Sequence, residues 1–223
     1  MRRPGWIDEL RRDAVDLLRD ARDLVRRHPW RFSAAVLAAV AAVALLVPRD
    51  AALDRRWTAN PDPDLEAAAL VIRRWGDFRD SVFFFTVLLS LGWILRRRDL
   101  RRAAAAGFLA ACLAGLSVNV LRVTTGRPRP KADLPDRLHG PSLRWKYQSF
   151  PSGHSATSIG CGAALAIAMP AVGILPLASA GAVVWSSVYS RNHYASDVAA
   201  GAAFGLLVAV PIGLAARRRR VRA

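Results

Sequence analysis

An all-α polytopic membrane protein, a six-transmembrane-helix bundle preceded by an N-terminal amphipathic helix, is predicted by three observations. Hydrophobic residues fill 53% of the 223 positions and gather in long runs instead of alternating with charges. Short arginine clusters separate those runs, the arrangement found at the ends of membrane spans. No polar stretch is long enough to bury a core of its own. The formal net charge of +16 would also suit a nucleic-acid protein, but that class needs its arginines on a soluble reading domain. The partner predicted is a membrane, with no nucleic acid.

The first element, residues 1–31, places Leu10, Val15, Leu17, Leu18 and Leu24 near helical spacing among Arg and Asp. It reads as an amphipathic helix on the membrane surface or as a charged tail that orders only in part. Six apolar runs follow, over Phe32–Val47, Ser81–Leu95, Ala103–Leu121, Ser155–Pro170, Ile174–Tyr189 and Val198–Ala216. The first stays as an anchor and is not a cleaved signal, because about thirty charge-rich residues precede it. Several runs fall short of the roughly 20 residues of a straight span, a gap that flanking residues and snorkelling arginines close. Between the first two runs, Asp62, Asp64 and Glu66 precede Ala67–Trp75. That acid-first order predicts a short interfacial helix with Trp75 at the headgroups; no chemical role is assigned to this segment. Cys112 and Cys161 lie inside apolar runs and read as small packing residues.

Orientation follows from the basic residues. With the N-terminus inside, segments 1–31, 96–102 and 217–223 hold nine, five and five Lys/Arg residues, the excess expected of cytoplasmic segments. The division predicted is a cytoplasmic basic amphipathic segment (1–31), a membrane domain (32–216) and a cytoplasmic basic tail (217–223). Both termini are cytoplasmic and the polar clusters face outward, across the inner (plasma) membrane.

Three such clusters carry residue types suited to phosphate. Arg122-Val-Thr-Thr-Gly126-Arg127-Pro128-Arg129-Pro130 closes the third run. A guanidinium forks onto two phosphate oxygens, so Arg122 and Arg129 can grip one phosphate from two sides, or form a headgroup-binding collar. Ser149-Phe-Pro151-Ser152-Gly153-His154-Ser155 opens the fourth run. There a helix start offers backbone N–H groups to an anion, and His154 stands where that anion would bind. His193-Tyr-Ala-Ser196-Asp197 opens the sixth run. A spacing of four puts His193 and Asp197 on one helical face, where a carboxylate orients an imidazole.

Together the three clusters resemble the type 2 phosphatidic acid phosphatase family, whose members include bacterial undecaprenyl pyrophosphate and phosphatidylglycerophosphate phosphatases. The family signature is Lys-x6-Arg-Pro, Pro-Ser-Gly-His and Ser-Arg-x5-His-x3-Asp, and the resemblance spans Ala103–Ala216. It implies that His193 attacks phosphorus while Asp197 orients it, and that His154 protonates the departing oxygen and later activates water. Arg122, Arg129, Ser152 and Gly153 would bind the phosphoryl oxygens. No metal or cofactor is implied, and no carboxylate or histidine cluster is spaced for one.

Two positions depart from the signature. Arg122 replaces the lysine and keeps the charge. Ser187 stands where the family has an arginine; either Arg191, four residues on, supplies that charge from the loop, or the charge is absent. The activity implied is hydrolysis of a lipid phosphate or diphosphate of the undecaprenyl pyrophosphate, phosphatidate or phosphatidylglycerophosphate type. A phosphotransferase of the same fold and a non-catalytic lipid-phosphate binder are the alternatives. Nothing in the sequence sets an oligomeric state.

Overall fold

The computed structural model describes residues 5–60 and 62–221. Among them the regular elements are all helical: α1 (Trp6–Arg27), α2 (Pro29–Leu46), α3 (Asp50–Thr58), α4 (Pro63–Arg74), α5 (Phe78–Ile94), α6 (Arg98–Thr125), α7 (Gly153–Ala168), α8 (Pro170–Tyr189) and α9 (Ala195–Val221). The outermost residues of the two predicted basic ends, 1–4 and 222–223, lie outside the described part.

Each of the six apolar runs falls on one helix, namely α2 and α5 to α9. Among the described residues, four helical stretches are long and apolar enough to cross a membrane: Pro29–Trp57, Arg98–Ala132, Pro170–Tyr189 and Ala195–Arg218. The other two apolar helices are shorter, at 17 residues for α5 and 16 for α7. Local chemistry sets the length of α7. Ser152 caps its start by accepting from the Ser155 N–H, and Pro170, at the start of α8, follows its end.

The segment between the first two runs differs from its expectation, forming two helices instead of one. Asp62 caps the second, α4, with Oδ1 accepting from the N–H groups of Asp64 (2.9 Å) and Leu65 (3.2 Å). The open choice for the N-terminal segment resolves as helix. The apolar stripe of α1 packs on α6 and α9, burying Leu17 and Ala21. Arg101 and Arg102 at the start of α6 reach back to Glu9 (3.4 Å) and Asp13 (3.1 Å).

Helices α6, α7 and α9 form the centre. Their contact faces are built from small residues, with Ala104, Ala106, Ala110, Ala164 and Ala209 all fully buried. Small side chains let helices approach closely enough for dispersion and weak polar contacts to replace a hydrophobic drive that lipid does not supply. The approach is tightest at Gly201 of α9, where a Cβ would come within 2.3 Å of the Ser152 carbonyl oxygen. This contact holds the start of α7 against the start of α9, which brings the second and third polar clusters together.

The first cluster is joined to them by the end of α6. Gly126 ends that helix in the left-handed region (φ 61°), which glycine adopts without a Cβ penalty. The chain then turns back as a loop to Ser149, with Ser142 N–H on the Val123 carbonyl (2.8 Å) and Ser149 N–H on the Arg127 carbonyl (3.0 Å).

Candidate active site

His193 sits in the turn between α8 and α9, 1% exposed. Its position is fixed from behind, since its N–H and that of Asn192 both donate to the Ser187 carbonyl (3.1 and 3.2 Å). The ring's Nδ1 is 2.8 Å from the Ser149 carbonyl oxygen. A carbonyl can only accept, so Nδ1 carries the proton and the lone pair resides on Nε2. That Nε2 is buried and has no hydrogen-bond partner. Burial first, then the charges of Arg129 and His154, hold His193 well below the ordinary histidine range. The result is a neutral imidazole with an unoccupied basic nitrogen.

Asp197 takes a different part from the one its spacing suggested. Its Oδ2 is 3.9 Å from His193 Nδ1, beyond hydrogen-bond reach. Both its oxygens are taken by other donors: Oδ1 by Arg127 Nη1 (2.6 Å), and Oδ2 by Ser149 Oγ (2.5 Å) and the Tyr194 N–H (2.8 Å). Asp197 therefore grips the residue whose carbonyl orients His193, so its hold on the ring is indirect.

Arg127, which the sequence reading left without a role, is the centre of this scaffold. Besides Asp197 it binds Asp50 (2.8 Å) and makes a two-pronged pair with Asp136 (2.8 and 2.6 Å), while lying over the Tyr194 ring at 4.3 Å. Asp50, at the start of α3, also accepts from the Ser196 N–H (2.9 Å) and hydroxyl. Nothing local in the sequence announces that Asp50, 77 residues earlier, meets Arg127.

Arg129 is 2% exposed. Its guanidinium donates to the Trp145 carbonyl (3.1 Å) and the Asn192 carbonyl (3.1 Å) and stacks over the Trp145 ring at 4.3 Å. Its backbone contacts are thus to the residue before His193 and to the loop between α6 and α7. Arg122 lies beside the start of α7, its Nη1 3.4 Å from the point where a Cβ on Gly153 would stand. The guanidinium donates to Asn119 Oδ1, and its Nε is buried without a partner. Ser152 is fully buried as the cap of α7, and Gly153 opens a helix whose first N–H groups have no partner within the helix.

His154, in the first turn of α7, pairs through Nε2 with Asp77 Oδ1 at 2.9 Å. Burial and the nearby Arg73 charge lower its pKa, and Asp77 opposes them. Arg73 and Asp77 come from the end of α4 and the turn after it, a segment to which no chemical role had been assigned. Arg191 is placed elsewhere. It binds Asp54 (3.3 and 3.1 Å), Asp133 (3.2 Å) and the Pro130 carbonyl (3.2 Å) on the outer side of the loop. Ser187 is fully buried, with its hydroxyl turned back onto the Val183 carbonyl (2.8 Å).

The arrangement is that of a helical membrane protein with one histidine in the first turn of α7 and another just before α9. A sequence model of the PAP2 superfamily matches residues 102–220, which is over half of the chain, and the chain belongs to that superfamily. It is similar to a lipid A 1-phosphatase from Rhizobium johnstonii, 34% identical over 106 residues that cover 44% of this chain and 41% of the relative. A lipid A 1-phosphatase from Rhizobium etli matches equally, at 34% over 106 residues and 44% of each chain. The match thus spans less than half the length of either relative. The fold is similar to that of a crystallised transmembrane PAP2 type phosphatidylglycerolphosphate phosphatase from Bacillus subtilis, with a TM-score of 0.65 at 21% identity, covering 82% of this chain and 94% of the other. It is also similar to Aquifex aeolicus LpxE, with a TM-score of 0.56 at 22% identity, covering 74% and 94%. The protein is an integral membrane protein.

Proposed function

We propose that this chain is a lipid phosphatase that transfers the phosphoryl group of its substrate to His193 Nε2 and then to water. The observation that carries the proposal is the state of His193: neutral, held through Nδ1, and presenting a buried Nε2 with no partner. In the first step the Nε2 lone pair forms a bond to phosphorus and the P–O bond to the lipid breaks. His154 gives its proton to the departing oxygen. In the second step water loses a proton to His154 and attacks phosphorus, and the N–P bond breaks to release inorganic phosphate. Arg122, Arg129 and the first N–H groups of α7 meet the charge on the equatorial oxygens.

The names of the Rhizobium relatives favour a phosphorylated lipid A type substrate among the candidates, ahead of phosphatidylglycerophosphate, phosphatidate and undecaprenyl pyrophosphate. We further read residues 32–216 as a six-span phosphatase domain, with α5 and α7 as short or tilted spans. On that reading segments 1–31 and 217–223 are cytoplasmic and the pocket opens on the outer face. The deciding experiment is phosphate release by purified protein from a panel of those lipids, with acid-labile phosphohistidine sought by mass spectrometry after rapid quenching. His193→Ala is expected to lose more than about a thousandfold in kcat, on the scale of removing a covalent nucleophile. Turnover retained in that variant at more than a few per cent of wild type rules the mechanism out.

A further inference from the structure

Arg73 stands at the end of α4, outside the segment that the superfamily model matches. Its Nε is buried and has no hydrogen-bond partner, the same condition as the Nε of Arg122 and the Nε2 of His193. A buried donor on a permanent cation is costly to leave unmet. The Arg73 charge acts on His154, Arg129, Lys131 and His193, and the turn that follows it sets Asp77 on His154 at 2.9 Å. Asp77 opposes the accumulated positive charge, but its Oδ1 is already engaged by His154. Cations gathered at this density with so little carboxylate compensation call for an anion from outside the chain.

The backbone explains how α4 delivers this residue. Three successive tight turns end the helix, with Trp75, Gly76 and Asp77 N–H groups on the carbonyls of Ile72 (3.0 Å), Arg73 (3.0 Å) and Arg74 (2.9 Å). Gly76 then lies flush against α7 and α8, where a Cβ would stand 3.0 Å from His154 Cδ2 and 2.6 Å from Val183 Cγ1. Val183 is one turn before Ser187 on α8. The turn that carries Arg73 is therefore pressed onto the same stretch of α8 that lacks an arginine. Ser187 itself is turned away from any ligand by its bond to the Val183 carbonyl.

We infer that Arg73 is a phosphate ligand of the His193 pocket, donating Nε–H to a phosphoryl oxygen and supplying from α4 the guanidinium that position 187 of α8 lacks. The inference rests on the phosphatase reading for the identity of the bound group. It is tested by a measurement that does not require turnover, calorimetric titration of the purified full-length protein with inorganic phosphate and with orthovanadate. Arg73→Ala is expected to weaken both about ten- to a hundredfold, on the scale of a lost charge-assisted hydrogen bond. Arg73→Lys should fall in between, because an ammonium keeps the charge without the fork. A purely structural role would lower the melting temperature and leave anion affinity alone in the protein that remains folded. Should Arg73→Ala fail to fold, Arg73→Gln carries the test, with the same weakening expected. Folded variants lacking the guanidinium whose dissociation constants stay within twofold of wild type overturn the inference. Lipid turnover in His193→Ala, by contrast, would remove the proposed mechanism while leaving the titration to judge Arg73.

Discussion

Asp77 faces His154 at 2.9 Å, and replacing it by Asn tests whether that histidine is the acid of the first step. Two unit charges about 4 Å apart attract by about 1 kcal/mol in a water-like medium and about 4 kcal/mol at an effective dielectric of 20. The Asp77 side chain is 46% exposed and that of His154 17%. With one partner so open to water the lower end applies, as it does for surface pairs in general. About 1 kcal/mol corresponds to about 0.7 of a pH unit. The sign follows from what Asp77 does now: it raises the His154 pKa against the lowering caused by burial and by Arg73. Its removal lowers that pKa further, so the protonated form disappears at a lower pH. The alkaline limb of kcat/KM should therefore move about half to one unit toward acid, with the acid limb unchanged and activity at neutral pH reduced several-fold. The assay is inorganic phosphate release across pH 5 to 9 at low substrate, for wild type and Asp77→Asn in the same detergent. An alkaline limb that stays in place, or moves toward higher pH, refutes the assignment of the proton to His154.

Arg127→Met should cost about 3 to 5 kcal/mol of stability, the scale for leaving a buried charge uncompensated, because Asp50 and Asp197 are both fully buried against it; thermal unfolding in detergent reads this. Gly126→Ala should cost at least about 1 to 2 kcal/mol from its left-handed conformation, and more from a Cβ placed 1.8 Å from the Gly140 carbonyl oxygen; an unchanged melting temperature would contradict the packing of that loop. Arg191→Ala should leave kcat/KM within about threefold of wild type, since its side chain is committed to the half-buried Asp54 and the exposed Asp133; a hundredfold loss would return it to the phosphate site. A cysteine at Ser142 should react with a membrane-impermeant reagent added to intact cells, and labelling only after lysis would reverse the proposed orientation.

The helices were legible because membrane spans are written locally. An apolar run bounded by arginines, a proline at a helix start and a glycine at a helix end each act within one or two turns. The motif residues were legible for the same reason, and the structure puts Arg122 beside Gly153 at the start of α7 and Arg129 on the carbonyl of the residue before His193. What stayed hidden is what long-range pairing decides. The four-residue spacing correctly put Asp197 on the side of His193, but spacing says nothing about rivals for a carboxylate. Arg127, Ser149 and the Tyr194 N–H occupy its oxygens at 2.5 to 2.8 Å, leaving Nδ1 to a backbone carbonyl that no side-chain pattern encodes. The α3–α4 segment was passed over because its acids and arginines looked like a solvated helix surface.

The acids are in fact what sorts the arginines. Within one loop, Arg127 and Arg129 are two residues apart and both buried, yet Arg127 meets Asp50, Asp136 and Asp197, whereas the side-chain hydrogen bonds of Arg129 go to the carbonyls of Trp145 and Asn192. A guanidinium saturated by carboxylates has no charge left to offer a phosphate and serves as scaffold. One that meets only carbonyl dipoles keeps its charge for a ligand. Arg191, held by Asp54 and Asp133, falls in the first group. Arg122 and Arg73, each with a buried and unmatched Nε, fall with Arg129 in the second. Those three arginines come from α6, from the loop after it and from α4. The carboxylate-bound Arg127 ties this loop to the starts of α3 and α9 through Asp50 and Asp197.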